Sequence, residues 1–221
     1  MLNPIALIPL RGGSKSIPKK NVKPLGGKPL CAWVLEAATH AQWIDAVYVS
    51  TDSREIEDVV KSLNLGVIII QRPPEYATDE ASTESVMLHF SAQVDFDVLV
   101  TIQATSPLLQ ATQLDEALAK FQHENIESML SAVRTKRFFW QNDGTPINYD
   151  PLKRPRRQDF PGTLMENGAF YITRRSILER YGCRLGGRIG IYEMPEYTSV
   201  EIDEPEDWEF VSRLLQKKSK V

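Results

Sequence analysis

The stretch Ile5-Ala6-Leu7-Ile8-Pro9-Leu10-Arg11-Gly12-Gly13-Ser14-Lys15-Ser16-Ile17-Pro18-Lys19-Lys20-Asn21 runs an apolar strand straight into a glycine loop bracketed by cations. Glycine lacks a Cβ, so Gly12 and Gly13 let the backbone turn tightly and bring its N–H groups close to an anion. Arg11, Lys15, Lys19 and Lys20 supply charge that can neutralise a phosphate. Open parallel sheets take their ligands at the carboxyl ends of strands, which is where this loop falls. A nucleotide or another phosphorylated ligand is the expected guest. Two familiar fingerprints do not fit. There is no Gly-x-Gly-x-x-Gly, and in Gly13-Ser14-Lys15-Ser16 a serine separates glycine from lysine, so a P-loop is not formed. Kinase and dehydrogenase readings lose ground accordingly.

Outward from the loop the chain alternates. Residues 29–38 place Leu30, Trp33, Val34 and Ala37 on one helical stripe. Residues 46–50 read as a strand, and Thr51-Asp52-Ser53 opens a helix with Glu55 three residues beyond Asp52, as in a capping box. The run 67–70 is continuously apolar, which suits a strand buried on both faces. Further strands are expected at 98–102, 128–133, 168–173 and 188–194, with helices at 112–121 and from Pro205 onward. The expected fold is α/β: a mostly parallel wound sheet flanked by helices, with right-handed crossovers, in a single domain over 1–221. Residues 134–165 break the pattern with charges, aromatics, an Asn-Asp-Gly turn signal and prolines. An irregular insert of that length is often functional or interfacial. Residues 217–221 read as a short tail.

The bulk properties restrict the partners. With 26 Lys and Arg against 29 Asp and Glu, the net charge is −3, so any anion binding must be local and nucleic acid is not an expected partner. Cys31 and Cys183 are too few and too far apart for a disulfide framework or a zinc site. No 18-residue apolar stretch and no basic leader occur, which leads to the expectation of a cytoplasmic protein without a membrane partner.

Four other segments carry polar groups a packed domain does not need. The segment from Arg72 to Thr83 leaves a strand and ends in hydroxyls; Ser82 and Thr83 can bond a base or cap a helix. Gln103-Ala104-Thr105-Ser106-Pro107 puts an amide, both donor and acceptor, at a strand's carboxyl end. Lys153-Arg154-Pro155-Arg156-Arg157-Gln158 reads equally as a localisation signal, a solvated loop or an arginine clamp for carboxylate or phosphate. In Glu201-Ile202-Asp203 alternation sets both carboxylates on one face, a pair suited to Mg²⁺ shared with substrate phosphates, unless Asp203 simply caps the next helix.

In this order and spacing the segments resemble the acylneuraminate cytidylyltransferases, the CMP-sialic acid synthetases, and in particular the catalytic domain of the animal enzymes. The similarity spans essentially the whole chain. It rests on Arg11-Gly12-Gly13-Ser14-Lys15 with Lys20-Asn21, on Ser50-Thr51-Asp52, on Gln103-x-Thr105-Ser106-Pro107, and on residues 153–160 followed by Glu166-Asn167-Gly168-Ala169-Phe170-Tyr171. The resemblance implies transfer of CMP from CTP to a nine-carbon α-keto sugar acid, with sister enzymes for legionaminic, pseudaminic or octulosonic acids as the alternative and a non-catalytic nucleotide-binding domain below that. It further implies that Arg11, Gly12, Gly13, Ser14 and Lys20 hold the triphosphate, that Asn21, Arg72, Ser82 and Thr83 hold the nucleoside, and that Gln103, Arg157, Gln158 and Tyr171 hold the sugar. Arg11, Lys20 and Asp203 would be catalytic, and Asp203 with Glu201 would hold Mg²⁺. The family's pattern has Asp where this chain has Glu201, one methylene longer. A homodimer, or a dimer of dimers, is implied as well, with the insert covering the partner, Arg157 acting at the partner's site, and Phe138, Phe139 and Trp140 buried between subunits.

Overall fold

The computed structural model describes residues 2–218. In chain order the elements are β1 (Pro4–Pro9), β2 (Pro24–Leu25), β3 (Lys28–Pro29), α1 (Leu30–His40), β4 (Ala46–Thr51), α2 (Arg54–Ser62), β5 (Ile68–Gln71), α3 (Thr83–Ser91), β6 (Val98–Ile102), α4 (Ala111–His123), β7 (Ser128–Thr135), β8 (Thr163–Arg174), α5 (Arg175–Tyr181), β9 (Ile189–Met194) and α6 (Pro205–Lys218). Seven strands form one sheet in the order β5-β4-β1-β6-β8-β7-β9, and β2 with β3 forms a separate hairpin. The pairs β1–β4, β4–β5, β1–β6 and β7–β9 are parallel, whereas β8 runs antiparallel to both β6 and β7.

Strand alternation sorts the core onto the two faces. Ala6 and Ile8 of β1 join one cluster with Cys31, Val34 and Leu35 of α1, Ile56 and Val60 of α2, and Leu114 and Phe121 of α4. Ile5 and Leu7 point the other way, to Met87 and Phe90 of α3 and Leu178 of α5. A third cluster seats Ile17 of the glycine loop, 1% exposed, against Leu25, Leu30, Ile202, Val211 and Leu215. The far end of the loop is thereby anchored under α6, and Trp208 and Leu214 pack on the same cluster.

Three local expectations change. The apolar run 67–70 is an edge strand rather than one buried on both faces: β5 pairs only with β4, and Ile68 is 45% exposed. Asp52 does not cap α2. Ser53 is the N-cap, its side chain accepting from the Ile56 N–H, while Asp52 turns back to the glycine loop. The final helix absorbs the start of the expected tail, and residues 219–221 lie outside the described part.

The segment 134–165 folds largely upon itself. Phe138 packs against Tyr149 and Phe160, with ring centroids 4.2 and 4.9 Å away, and the Arg154 guanidinium covers Phe138 at 4.4 Å. Phe138 thus finds partners within its own segment, contrary to the expectation that it needs another subunit. Trp140, Ile147 and Leu152 remain exposed, Leu152 at 94%. A short 3-10 turn, Pro151–Lys153, capped by Asp150 on the Leu152 N–H, presents the basic run.

Candidate active site

In this sheet the chain goes from β1 outward to β4 and β5, then returns to place β6 on the other side of β1. The strands β1 and β6 thus lie side by side and parallel, and wound sheets hold their ligands at the carboxyl ends of such strands. A cleft of about 270 Å³ opens there, with Arg11 on the β1 side, Gln103 and Thr105 on the β6 side, and Arg72, Ser82 and Thr83 across it. A second cleft of about 400 Å³ adjoins it, bordered by Gly13, Ser14, Lys15 and Asp203. Arg11, Lys20 and Asn21 line both, so the two are lobes of one site.

Several of the lining side chains are held by specific bonds. Asn21 donates from Nδ2 to the Arg11 carbonyl at 2.9 Å, closing the loop on itself. The Lys20 ammonium, its side chain only 15% exposed, reaches the Ile202 carbonyl at 3.0 Å and Asp203 Oδ1 at 3.2 Å. The Ile202 N–H donates in turn to the Thr105 carbonyl at 2.9 Å, which docks segment 201–203 beside the end of β6. Asp203 is not the helix cap. Asp207 Oδ2 accepts from the N–H groups of both Asp203 and Glu204, and this leaves the Asp203 carboxylate facing Lys20 and the second lobe. Ser82 caps α3 through the Ser85 N–H, whereas Thr83 has no side-chain hydrogen bond among the described residues.

Arg72 is buried at 6% exposure. It donates to Ser50 Oγ at 3.1 Å and to the Ser50 carbonyl at 2.5 Å, and burial, with Arg11 nearby, pushes its pKa down to about 10 against the opposing pull of Asp52. Its role in the wall is thus partly structural, a fixed positive group behind the cleft. Gly12 lines neither lobe: its N–H donates to Asp52 Oδ1 at 2.8 Å. Sequence reading missed Asp52 in this role, because Asp52-Ser53 ahead of a helix looks like capping. It also missed Asp79, whose carboxylate bridges Arg11 at 2.7 Å and Lys15 at 2.8 Å.

The sugar-side candidates separate. Tyr171 on β8 is 5% exposed, pairs in register with Thr101 of β6, and donates its hydroxyl to Glu166. Burial, then Glu166, drives its phenol well above the ordinary range. The Arg184 guanidinium lies 4.6 Å over the Tyr171 ring and forks onto Glu84 of α3 at 2.6 and 3.1 Å. Four residues of β8, 167–170, fall in a register break opposite Ser131. At its centre Gly168 has φ +63°, and a Cβ there would run into the Glu201 carboxylate, so both the backbone and the close approach call for glycine. Arg157 and Gln158 sit on the exposed insert and line neither lobe. Arg154 is taken up by Phe138 and Arg156 by Asp159 at 2.6 Å, while Arg157 has no ion pair among the described residues.

A family model for the cytidylyltransferases matches residues 5–221. The chain belongs to this family. Curated cytidylyltransferases similar to it include the N-acylneuraminate cytidylyltransferase of Oncorhynchus mykiss, 45% identical over 212 residues, which cover 92% of this chain and 48% of that protein. The N-acylneuraminate cytidylyltransferase of Streptococcus agalactiae serotype V is 28% identical over 216 residues, 94% of this chain and 52% of that protein. The chain spans about half the length of the curated relatives it matches. Among solved structures, a CMP:2-keto-3-deoxy-manno-octonic acid synthetase complexed with CTP superposes with a TM-score of 0.76 at 19% identity, covering 98% of this chain and 99% of the other. The 4-diphosphocytidyl-2C-methyl-D-erythritol synthase of Anaerococcus prevotii superposes at 0.66 and 12% identity over 97% of this chain and 96% of the other. At those identities the cytidylyltransferase fold is what the superpositions share.

The carboxylates suit a hard divalent cation. Burial, then the neighbouring Asp203 and Glu166 carboxylates, raise the Glu201 carboxyl above its ordinary range against the pull of Lys20. Negative charge is in local excess there, and a cation would relieve it. No group of three acidic, histidine or cysteine side chains placed to hold a metal occurs among the described residues.

Proposed function

We propose that this chain carries the catalytic site of an N-acylneuraminate cytidylyltransferase, which joins CTP to the anomeric hydroxyl of a nine-carbon α-keto sugar acid and releases pyrophosphate. The observation that carries this reading is Lys20: one ammonium borders both lobes and contacts Asp203. The nucleoside would occupy the lobe between Arg72, Ser82, Thr83 and Gln103. The triphosphate would run past Arg11 and Lys20 into the lobe edged by Gly13 and Ser14, where the loop backbone and cations meet it.

In the reaction the anomeric hydroxyl gives up its proton to solvent water as its oxygen bonds to the α-phosphorus, and the bond from that phosphorus to the α,β-bridging oxygen breaks so that pyrophosphate leaves with the bond's electron pair. No protein nucleophile is required. The residues contribute position and charge: Arg11 and Lys20 neutralise the leaving pyrophosphate, and Gln103 orients the acceptor sugar against it. Mg²⁺ held by Asp203, with Glu201 beside it, would supply positive charge at the α-phosphate. Glu166 and Tyr171 would form the sugar-side wall, braced by Arg184.

The chain would work as a homodimer in which the exposed Trp140, Ile147 and Leu152 pack on a partner and Arg157 reaches the partner's sugar carboxylate. Two unpaired cysteines support a cytoplasmic setting. Nothing described is a helix long and apolar enough to cross a membrane.

The test is pyrophosphate release from CTP and Mg²⁺ with a panel of N-acetylneuraminate, its deaminated analogue, legionaminate, pseudaminate and an octulosonic acid, with EDTA as control. Metal-dependent release with N-acetylneuraminate or its deaminated analogue is expected. Release with one of the other acids alone would transfer the assignment to that sister reaction, and silence throughout would remove catalysis.

A further inference from the structure

Arg11 and Lys15 face the phosphate lobe, and each is ion-paired. Asp79 Oδ1 lies 2.7 Å from Arg11 Nη1, Asp79 Oδ2 lies 2.8 Å from Lys15 Nζ, and Arg11 Nη1 also donates to the Thr78 carbonyl at 3.2 Å. Asp79 stands 68 positions along the chain from Arg11, in an irregular segment between the 3-10 turn Pro74–Tyr76 and the Ser82 cap of α3. Both hydrogen bonds hold its carboxyl below the ordinary range, so it is anionic at neutral pH. One carboxylate with an oxygen on each of two cations reproduces the bridging geometry of a phosphate group.

We propose that Asp79 is a surrogate anion for the phosphate lobe: it holds Arg11 and Lys15 until a ligand phosphate takes its place. It is a specificity-determining residue, not a catalytic one. A ligand must bring enough negative charge to displace the carboxylate, and the same carboxylate competes for the cations again when pyrophosphate is to leave. Weak anions therefore gain little from the loop, whereas a polyphosphate does. The exchange costs little because Arg11, Lys15 and Asp79 are all substantially exposed, and each exposed pair is worth only up to about a fivefold factor.

The inference rests on the phosphate-site reading of the loop, and its test separates the two. Calorimetric affinities for inorganic pyrophosphate and for cytidine are measured on the wild type, D79N and D79S at fixed ionic strength, with thermal unfolding confirming that each variant folds. Both substitutions are expected to tighten pyrophosphate by roughly three- to tenfold, with a slower off-rate, and to leave cytidine within twofold. Unchanged or weaker pyrophosphate binding in the variants, with cytidine retained, overturns the surrogate role alone. Loss of pyrophosphate and cytidine binding in all three proteins, wild type included, overturns the site reading and the surrogate with it.

Discussion

The Gly12 N–H donates to Asp52 Oδ1 over 2.8 Å, tying the loop after β1 to the residue that follows β4. The contact explains why position 12 is glycine. A Cβ there would stand 2.9 Å from the Ser53 Cβ, an atom fixed by its own backbone at the start of α2. At Gly13, one residue on, an added Cβ meets nothing within 4 Å.

Gly12→Ala is therefore expected to be the harmful member of the pair. Overpacking of this kind costs about 1–3 kcal/mol, or roughly 3–10 °C in a domain of this size. CTP affinity should fall with it as the loop is pushed out of place. Gly13→Ala should unfold within about 2 °C of the wild type. Scanning calorimetry of both variants checks this, and equal melting temperatures would remove the close approach as the reason for glycine.

The Glu84–Arg184 fork joins the first turn of α3, beside the nucleoside lobe, to the loop that braces Tyr171. Burial alone would raise the Glu84 carboxyl; its bonds from Arg184 outweigh that and leave it below the ordinary range. A depressed carboxylate stabilises the fold above its unfolded pKa and loses that contribution as pH falls through the folded one. Glu84→Gln should thus lower stability at pH 7 by about 1–3 kcal/mol, and the gap to wild type should close below the carboxylate range. Denaturant midpoints from pH 3 to 7.5 measure it; a pH-independent gap would show that charge is not the cause.

Cys31 is fully buried against the sheet and burial pushes its thiol up to about 11, whereas Cys183 is half-exposed. Iodoacetamide at pH 8 should label one thiol per folded chain, and Cys183→Ser should label at none. Because the fold keeps Cys31 neutral after the unfolded chain has ionised, its contribution to stability should decline as pH rises from the ordinary thiol range to about 11. Intact-mass labelling decides, and two rapid modifications would place Cys31 in a mobile region.

Asp203 faces Lys20 and caps nothing. Asp203→Asn is expected to lower kcat by at least about 100-fold with CTP affinity kept within a few-fold, since metal-assisted charge stabilisation acts mainly in the transition state. Turnover near the wild-type value would discard the metal assignment.

Arg157, unpaired on the exposed insert among the described residues, is expected to serve a neighbouring subunit. Arg157→Ala should raise the sugar acid's KM by about tenfold or more and leave that of CTP alone, and Arg157→Lys should restore part of the loss. Mixing Arg157→Ala with Asp203→Asn subunits should regain activity, because some hybrid dimers then hold one intact site. A fully active monomer would contradict the arrangement.

The readable parts of the chain were those in which function follows from local chemistry. An apolar strand entering Gly12-Gly13 with flanking cations points to an anion-facing turn, and the stripe Leu30, Trp33, Val34 and Ala37 in α1 points to a buried helix face, because both depend on neighbours within a few residues. Arg11, Lys20, Asn21, Arg72, Ser82, Thr83, Gln103 and Asp203 do meet at one pair of lobes. Residue type could not assign Asp52 and Asp79, since an acidic residue ahead of a helix or in a loop has an ordinary local reading. Nor could it expose β5 as an edge strand: Ile68-Ile69-Ile70 looks the same whether one strand or two lie beside it.

What the sequence determined by itself, then, was the order of elements and the family, with a phosphate-binding first loop as the expectation that follows. Tertiary structure decided which distant groups share a charge. The fold brings residues 79, 103, 202 and 203 to the loop at residues 11–20, and a carboxylate becomes a cap or an ion-pair partner according to what stands within about 3 Å of it. Separations of 67 to 187 positions along the chain are closed only by the fold, so those roles have no local signature to read.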